Sequence, residues 1–165
     1  MATNAILSLV SEIRDGTVVL PDLQRDFVWK EDQIRLLLEP LAVPGAVSRI
    51  SEETLGALEE ETQRLISLGE KASVYDRRTA DYQFHRSICE ASGNRVLTQT
   101  LDPLIRKVLL LTTVGFRYGR ASRSFEEHLE VLKALRARDE ALTAQRLRDH
   151  LRTALKFNVD VWERR

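Results

Sequence analysis

Apolar residues recur at three- and four-residue spacing along most of this 165-residue chain, and no other feature constrains its fold as strongly. Such spacing places apolar side chains on one face of an α-helix. The chain has only seven glycines and four prolines, so few residues interrupt the pattern. We therefore predict an all-α fold, an antiparallel bundle of six to seven helices. The clearest apolar stripes are Leu55, Leu58, Leu65 and Ile66; Phe84, Ile88 and Ala91; Leu97, Leu101, Leu104 and Ile105; Phe125, Leu129, Leu132 and Leu135; and Leu147, Leu151 and Leu155.

Several residues predict where these helices begin and end. Ser51 precedes three residues that suit a helix start, two of them acidic, so it is a candidate N-cap. Residues 92–94 read Ser-Gly-Asn, which is typical of a helix end followed by a turn. Pro40 predicts a kink or break, and residues 44–45 (Pro-Gly) predict a turn. Pro103 is expected in or near the first turn of its helix.

The front of the chain has a different pattern. Residues 4–14 fit a short amphipathic helix, and the β-branched run at 17–20 fits a short strand that ends at Pro21. We predict an irregular helix-strand segment over residues 1–32 and a helical domain over residues 33–165. The first forty residues contain four basic and seven acidic side chains, a charge of the wrong sign for binding phosphates.

Composition excludes several classes of protein. The chain has 25 basic and 25 acidic residues, a balance that argues against a free-standing nucleic-acid binder. Its single cysteine, Cys89, excludes a disulfide framework and fits a reducing compartment. The longest strongly apolar run, residues 108–113, is too short to cross a bilayer, and the first ten residues do not resemble a signal peptide. We expect a cytoplasmic protein without membrane contact.

All three histidines of the chain occupy predicted inward helix faces. Asp81 and His85 are four residues apart and share one face of their helix, and His128 and His150 lie on the apolar stripes of two others. Three imidazoles and one carboxylate suit a divalent ion such as zinc, nickel or manganese. The alternative is that the histidines are core residues and that the Asp81–His85 pair is a helix-surface contact. The pattern by itself does not separate a metalloenzyme from a metal-containing binding pocket.

Five short segments resemble one known domain. They are residues 34–42 (Ile-Arg-Leu-Leu-Leu-Glu-Pro-Leu-Ala), 81–85 (Asp-Tyr-Gln-Phe-His), 91–94 (Ala-Ser-Gly-Asn), 127–129 (Glu-His-Leu) and 148–151 (Arg-Asp-His-Leu). In this order they are similar to the FCD domain, the C-terminal effector-binding domain of FadR-type regulators in the GntR family. The resemblance covers about residues 33–165. It departs from the family at Arg138, where a glycine is usual, although Asp139 can still cap the last helix.

This resemblance implies a transcription-regulating, ligand-sensing domain with no catalytic residues. Asp81, His85, His128 and His150 inherit the metal site, with zinc as the expected ion. The resemblance also implies that Arg35 and Asn94 bind a small carboxylate effector, Arg35 through its guanidinium. Without the resemblance, Arg35 reads equally well as an exposed residue or as half of an Arg35–Glu39 surface pair. A homodimer is also implied, with residues 108–111 as a possible apolar surface or simply a central helix.

Residues 1–38 carry a second resemblance. The stretch at 20–29 (Leu-Pro-Asp-Leu-Gln-Arg-Asp-Phe-Val-Trp) is similar to the opening of the ParB-like domain of GmrSD-type restriction proteins, in which a strand precedes the motif and a helix follows it. Only this opening of the ParB-like domain is present. The segment is also too short for a complete winged helix-turn-helix, so we expect DNA binding only if a winged helix-turn-helix is supplied elsewhere. Two other functions stay open: a nucleotide-binding, restriction-related protein, and a metal-dependent hydrolase with Glu90 or Glu127 as base.

Overall fold

A computed structural model describes residues 21–111 and 120–163, with side chains at 30–107 and 123–157. The prediction of an all-α bundle is confirmed. The described residues form seven α-helices, which we number α1 to α7, and no strand. Their bounds are α1 Pro21–Leu38, α2 Val43–Arg49, α3 Glu52–Leu68, α4 Val74–Ala91, α5 Arg95–Leu111, α6 Arg120–Arg136 and α7 Glu140–Glu163. Short 3₁₀ turns follow α1 (Glu39–Ala42) and α3 (Gly69–Lys71).

The bundle is held by contacts between helices that are distant in sequence. Helix α6 packs between α3 and α7, α1 lies against α5 and α7, and α4 packs against α2, α3 and α5. The predicted apolar stripes supply the core, which includes Leu55, Phe84, Ile88, Leu101, Ile105, Leu132, Leu135, Leu147 and Leu151. Within the described part of the chain, no helix combines the length and the apolar character needed to cross a membrane.

The predicted helix starts are confirmed by their capping bonds. The hydroxyl of Ser51 accepts a hydrogen bond from the Thr54 amide at 3.0 Å, and the Asp139 carboxylate accepts one from the Leu142 amide at 2.9 Å. Helix α4 ends at Ala91, and Gly93 follows with a φ of 68°, as a helix-ending glycine requires. Each of the two capping bonds, to Ser51 and to Asp139, satisfies a backbone amide that has no partner inside its helix.

Two predictions about proline were wrong. Residues 44–45 do not form a turn, because Pro44 lies at the start of α2, where a helix needs no amide donor. Position 45 requires glycine for a steric reason, because a Cβ there would lie 2.8 Å from the carbonyl carbon of Ser92. Pro103 lies inside α5 rather than near its first turn, because α5 already begins at Arg95. The break at Pro40 is confirmed, since α1 ends at Leu38.

Helix α1 crosses the predicted boundary at residue 33. The motif at residues 24–29 is helical throughout, and α1 continues without interruption to Leu38. The helix and strand expected at residues 4–14 and 17–20 lie outside the described residues. The side chains at 108–111, proposed for a dimer surface, also lie outside the part of the chain whose side chains are described.

Arg138 fills the position where the family usually has glycine. Its φ is 56°, in the left-handed region that a side chain disfavours. The amide of Asp139 bonds to the Ala134 carbonyl and the amide of Arg138 to the Leu135 carbonyl, which together close the end of α6. The Arg138 guanidinium compensates for the backbone cost, because it donates to the carbonyls of Val47 at 2.7 Å and Ile50 at 3.1 Å.

Candidate metal centre

Three helices bring the four predicted ligands together in the core. Helix α4 carries Asp81 and His85 one turn apart, α6 carries His128, and α7 carries His150. All four side chains are buried, and the three histidines are at most 1% exposed. Burial of four ionisable groups at one point is costly unless they are paired or bind a cation. The assignment of these four residues as metal ligands stays a prediction, and their placement defines the point in the core where an ion would bind.

The donor atoms face one another at distances that suit a common ion. The Nε2 atom of His150 lies 3.2 Å from that of His128 and 3.4 Å from that of His85, and Asp81 Oδ1 lies 3.5 Å from His128 Nε2. One ligand atom from each of the four residues falls within 4.8 Å of all the others. Two nitrogens bound to one zinc ion at about 2.0–2.1 Å lie roughly 2.9–3.4 Å apart. The four residues therefore fit a divalent metal.

Two glutamates determine which ring nitrogens are available. His85 Nδ1 lies 2.7 Å from Glu39 Oε2, and His150 Nδ1 lies 2.9 Å from Glu127 Oε2. A carboxylate can only accept, so each Nδ1 carries the hydrogen and, in a neutral ring, each Nε2 presents a lone pair. Two lone pairs then face each other across 3.4 Å. A cation between them would turn this repulsion into attraction.

Burial keeps the imidazole of His150 neutral. It lowers the pKa of His150 below the ordinary value of 6.5; the Glu127 hydrogen bond opposes this shift and His85 adds to it. A neutral imidazole is the form that binds a metal. Beside it, the ring of Phe84 stacks on His128 with centroids 3.8 Å apart, and Phe125 contacts His128 edge-on at 5.6 Å. These aromatic contacts fix the ring of His128 without using its Nε2 atom.

Arg35 is neither exposed nor half of a surface pair. It is 3% exposed, donates through Nε to the equally buried Glu39, and lies 3.5 Å from Asp32. Burial acts to lower the pKa of the Arg35 guanidinium, but the charges of Glu39, Asp32 and Asp81 outweigh burial and raise it. Its Nη2 atom is buried without a hydrogen-bond partner among the described residues. Arg35 is therefore a permanent buried cation near the centre.

Asn94 has a structural task away from the cluster. Its side chain is exposed, and Oδ1 accepts a hydrogen bond from the Leu97 amide at 3.0 Å, which caps α5. The structure does not bring Asn94 to the four ligands, and its role in effector binding stays a prediction.

Glu39 and Glu127 were missed as partners of the histidines. The sequence suggests Glu39 only as a surface partner of Arg35 and Glu127 only as a possible base. A usable signal existed for Glu127, which precedes His128 and so lies on the same helix as a predicted ligand. None existed for Glu39, which is 46 residues from His85 along the chain.

Comparison with known sequences places the chain in a family. Residues 33–153 match the FCD domain. The Glc operon transcriptional activator of Escherichia coli K12 is 30% identical over 120 residues, which are 70% of this chain and 44% of the activator. The corresponding protein of Escherichia coli O6:H1 matches over the same length with the same identity. The chain thus spans less than half the length of these relatives.

Solved structures share the fold. The GntR protein of Streptococcus agalactiae superposes with a TM-score of 0.69 at 21% identity, over 85% of this chain and 62% of that protein. McbR/YncC of Escherichia coli gives the same TM-score and identity, over 79% of this chain and 67% of that protein. Together with the profile match, these likenesses confirm the resemblance seen in the sequence. The chain belongs to the FCD domain family of GntR-type transcriptional regulators.

Proposed function

We propose that this chain senses a small carboxylate through a divalent metal held by Asp81, His85, His128 and His150. Zinc is the ion we expect, with nickel or manganese as alternatives. The observation that carries the proposal is the convergence of four buried donor atoms within 4.8 Å, in a domain whose family regulates transcription. Four protein ligands leave further positions open on an ion that accepts five or six.

The effector site is proposed beside this centre. A bound divalent ion supplies a Lewis acid that can accept a carboxylate oxygen. Arg35 supplies the second cation, and its buried Nη2 atom is an unused donor among the described residues. A guanidinium suits a carboxylate because its donors lie in one plane. These features support Arg35 as an effector-binding residue.

The wider role follows from the family. We propose that residues 33–165 sense the effector in the cytoplasm, and that residues 1–32, the last twelve of which belong to α1, are not a complete winged helix-turn-helix. We further propose that the chain forms a homodimer, and that DNA is contacted only through a winged helix-turn-helix supplied elsewhere. An effector changes such a system when it binds one of two conformations more tightly than the other.

Metal analysis tests the proposal. Purified protein supplied with zinc and then desalted should retain about one ion per chain, and His128→Ala or His150→Ala should lose it. Asp149→Asn is the matched control, because Asp149 is an exposed carboxylate next to His150. Removing zinc from a site saturated to about 100 times its Kd should cost about 2.7 kcal/mol, a fall in Tm of roughly 5–10 °C. The proposal would be refuted by a protein that retains no metal and whose Tm changes neither with added zinc nor with chelator.

Calorimetry with small mono- and dicarboxylates tests the effector. Binding heat should be seen with zinc-loaded protein and should disappear after chelation. Heat that persists without metal would contradict a metal-held effector.

The alternative functions gain no support from the site. Glu127, considered as a general base, is engaged with His150 Nδ1, and Glu90 accepts from Arg86 at 2.8 Å. The curated relatives are transcriptional regulators. The motif at 24–29, which suggested nucleotide binding, lies within one continuous helix.

A further inference from the structure

Helix α1 contacts the bundle through charged side chains. Among the side chains described in α1, at residues 30–38, the buried ones are Glu31, Asp32 and Arg35. The apolar Ile34 and Leu37 are 41% and 73% exposed. An ordinary bundle helix shows the opposite pattern, with apolar residues inside and charged residues outside. Leu36 and Leu38 are partly buried against the apolar core. This half of α1 therefore docks through buried charged contacts as well as through apolar packing.

These charged contacts lead to the metal centre through Glu39. One carboxylate oxygen accepts from Arg35 Nε on α1, and the other accepts from His85 Nδ1 at 2.7 Å. The Glu39 carboxylate therefore joins the end of α1 to a candidate ligand on α4.

Glu127 makes the comparable contact with His150 from α6. Its other carboxylate oxygen lies 3.3 Å from Arg123, four residues earlier on the same helix, just as Glu39 pairs with Arg35 four residues earlier. Both glutamates orient a candidate ligand, and the loss of such an orienting group typically weakens metal binding by about 10–100-fold. The two differ in position, since Glu39 follows the last residue of α1 directly and Glu127 lies on α6.

We propose that Glu39 is a positioning residue that couples metal binding to the docking of α1, by orienting His85 and holding Arg35. The inference rests on the proposed metal binding. The coupling is reciprocal: if metal favours the docked helix, the docked helix raises metal affinity by the same factor. Residues 1–20 precede α1 in the chain, so a metal-dependent change in the docking of α1 would act on the point where those residues join the domain.

Hydrogen–deuterium exchange of the full chain, with zinc or with chelator, tests the coupling. In wild type, zinc should slow exchange in peptides from residues 21–38 more than in peptides from α3, residues 52–68. Glu39→Gln should weaken zinc binding by about 10–100-fold. At saturating zinc, its α1 peptides should exchange as in the metal-free protein.

Glu127→Gln is the matched control. It should weaken zinc binding by a similar factor, but at saturating zinc its α1 peptides should be protected as in wild type. Arg35→Lys keeps the charge and does not alter a ligand, so it serves if Glu39→Gln fails to fold. It should weaken zinc binding and also remove the zinc dependence of α1, which a purely structural role would not do.

The outcomes separate this inference from the proposed function. If wild type binds zinc but α1 exchange does not respond, or if Glu39→Gln and Glu127→Gln behave alike at saturating zinc, the coupling is refuted and the metal site stands. If wild type binds no zinc, the proposed function fails, and the coupling fails with it.

Discussion

Replacement of Gly45 by alanine tests how closely α2 approaches α4. Alanine is the better helix former by about 1 kcal/mol, so the change would stabilise an unobstructed helix. Here the new Cβ would overlap the carbonyl oxygen of Ser92, at the end of α4, and lie 2.8 Å from the carbonyl carbon. The same oxygen accepts a hydrogen bond from Arg49 Nη2, so it has little freedom to move.

The two effects have opposite signs, and the overlap should dominate. Overpacking costs about 1–3 kcal/mol, and loss of the Arg49 hydrogen bond adds roughly 1 kcal/mol. Subtracting the helix-propensity gain leaves a destabilisation of about 1–3 kcal/mol. The backbone shift would also move the turn that carries Glu39 relative to His85.

Gly56→Ala is the matched control. Gly56 lies inside α3, and a Cβ there would meet no atom within 4 Å. This variant should gain about 0.5–1 kcal/mol. Urea unfolding of both variants gives the free energies of unfolding and, from unchanged slopes, confirms that only stability differs. A Gly45→Ala protein as stable as wild type would show that the close approach of α2 to Ser92 is wrong.

Two further predictions concern Arg138 and Cys89. In urea unfolding, Arg138→Ala should lose about 1–3 kcal/mol of stability, because it keeps the left-handed backbone but loses the hydrogen bonds to Val47 and Ile50. Arg138→Gly loses the same bonds without the backbone strain, so it should be about 1 kcal/mol more stable than the alanine variant. Equal stabilities of the two variants would contradict the strain at this position. Burial, aided by the charge of Glu39, raises the pKa of the Cys89 thiol well above its usual range. A thiol reagent should therefore label the native protein at pH 8 only at the rate of unfolding. Fast labelling without urea would refute the burial of Cys89.

Much of the fold and site could be predicted from local pattern. Once a helix forms, the position of a residue relative to the apolar stripe fixes the face that its side chain occupies. This holds for Asp81 and His85, four residues apart, and for His128 and His150 on the stripes of their own helices. Ser51 and Asp139 mark helix starts because a cap contacts only residues two or three positions away. Pro103 was misplaced because the start of α5 depends on the cap at Asn94, nine residues earlier.

The remainder depended on how helices cross, which the sequence does not encode locally. Glu39 meets His85 and Arg138 meets Val47 only because the bundle brings α1 and α2 against α4 and the end of α6. The sequence by itself determined an all-α chain with four candidate ligands on inward helix faces, because helical phase is a local property. The tertiary structure alone decided that their donor atoms converge, which glutamates orient them, and that Arg35 is buried, because those facts depend on distances between helices.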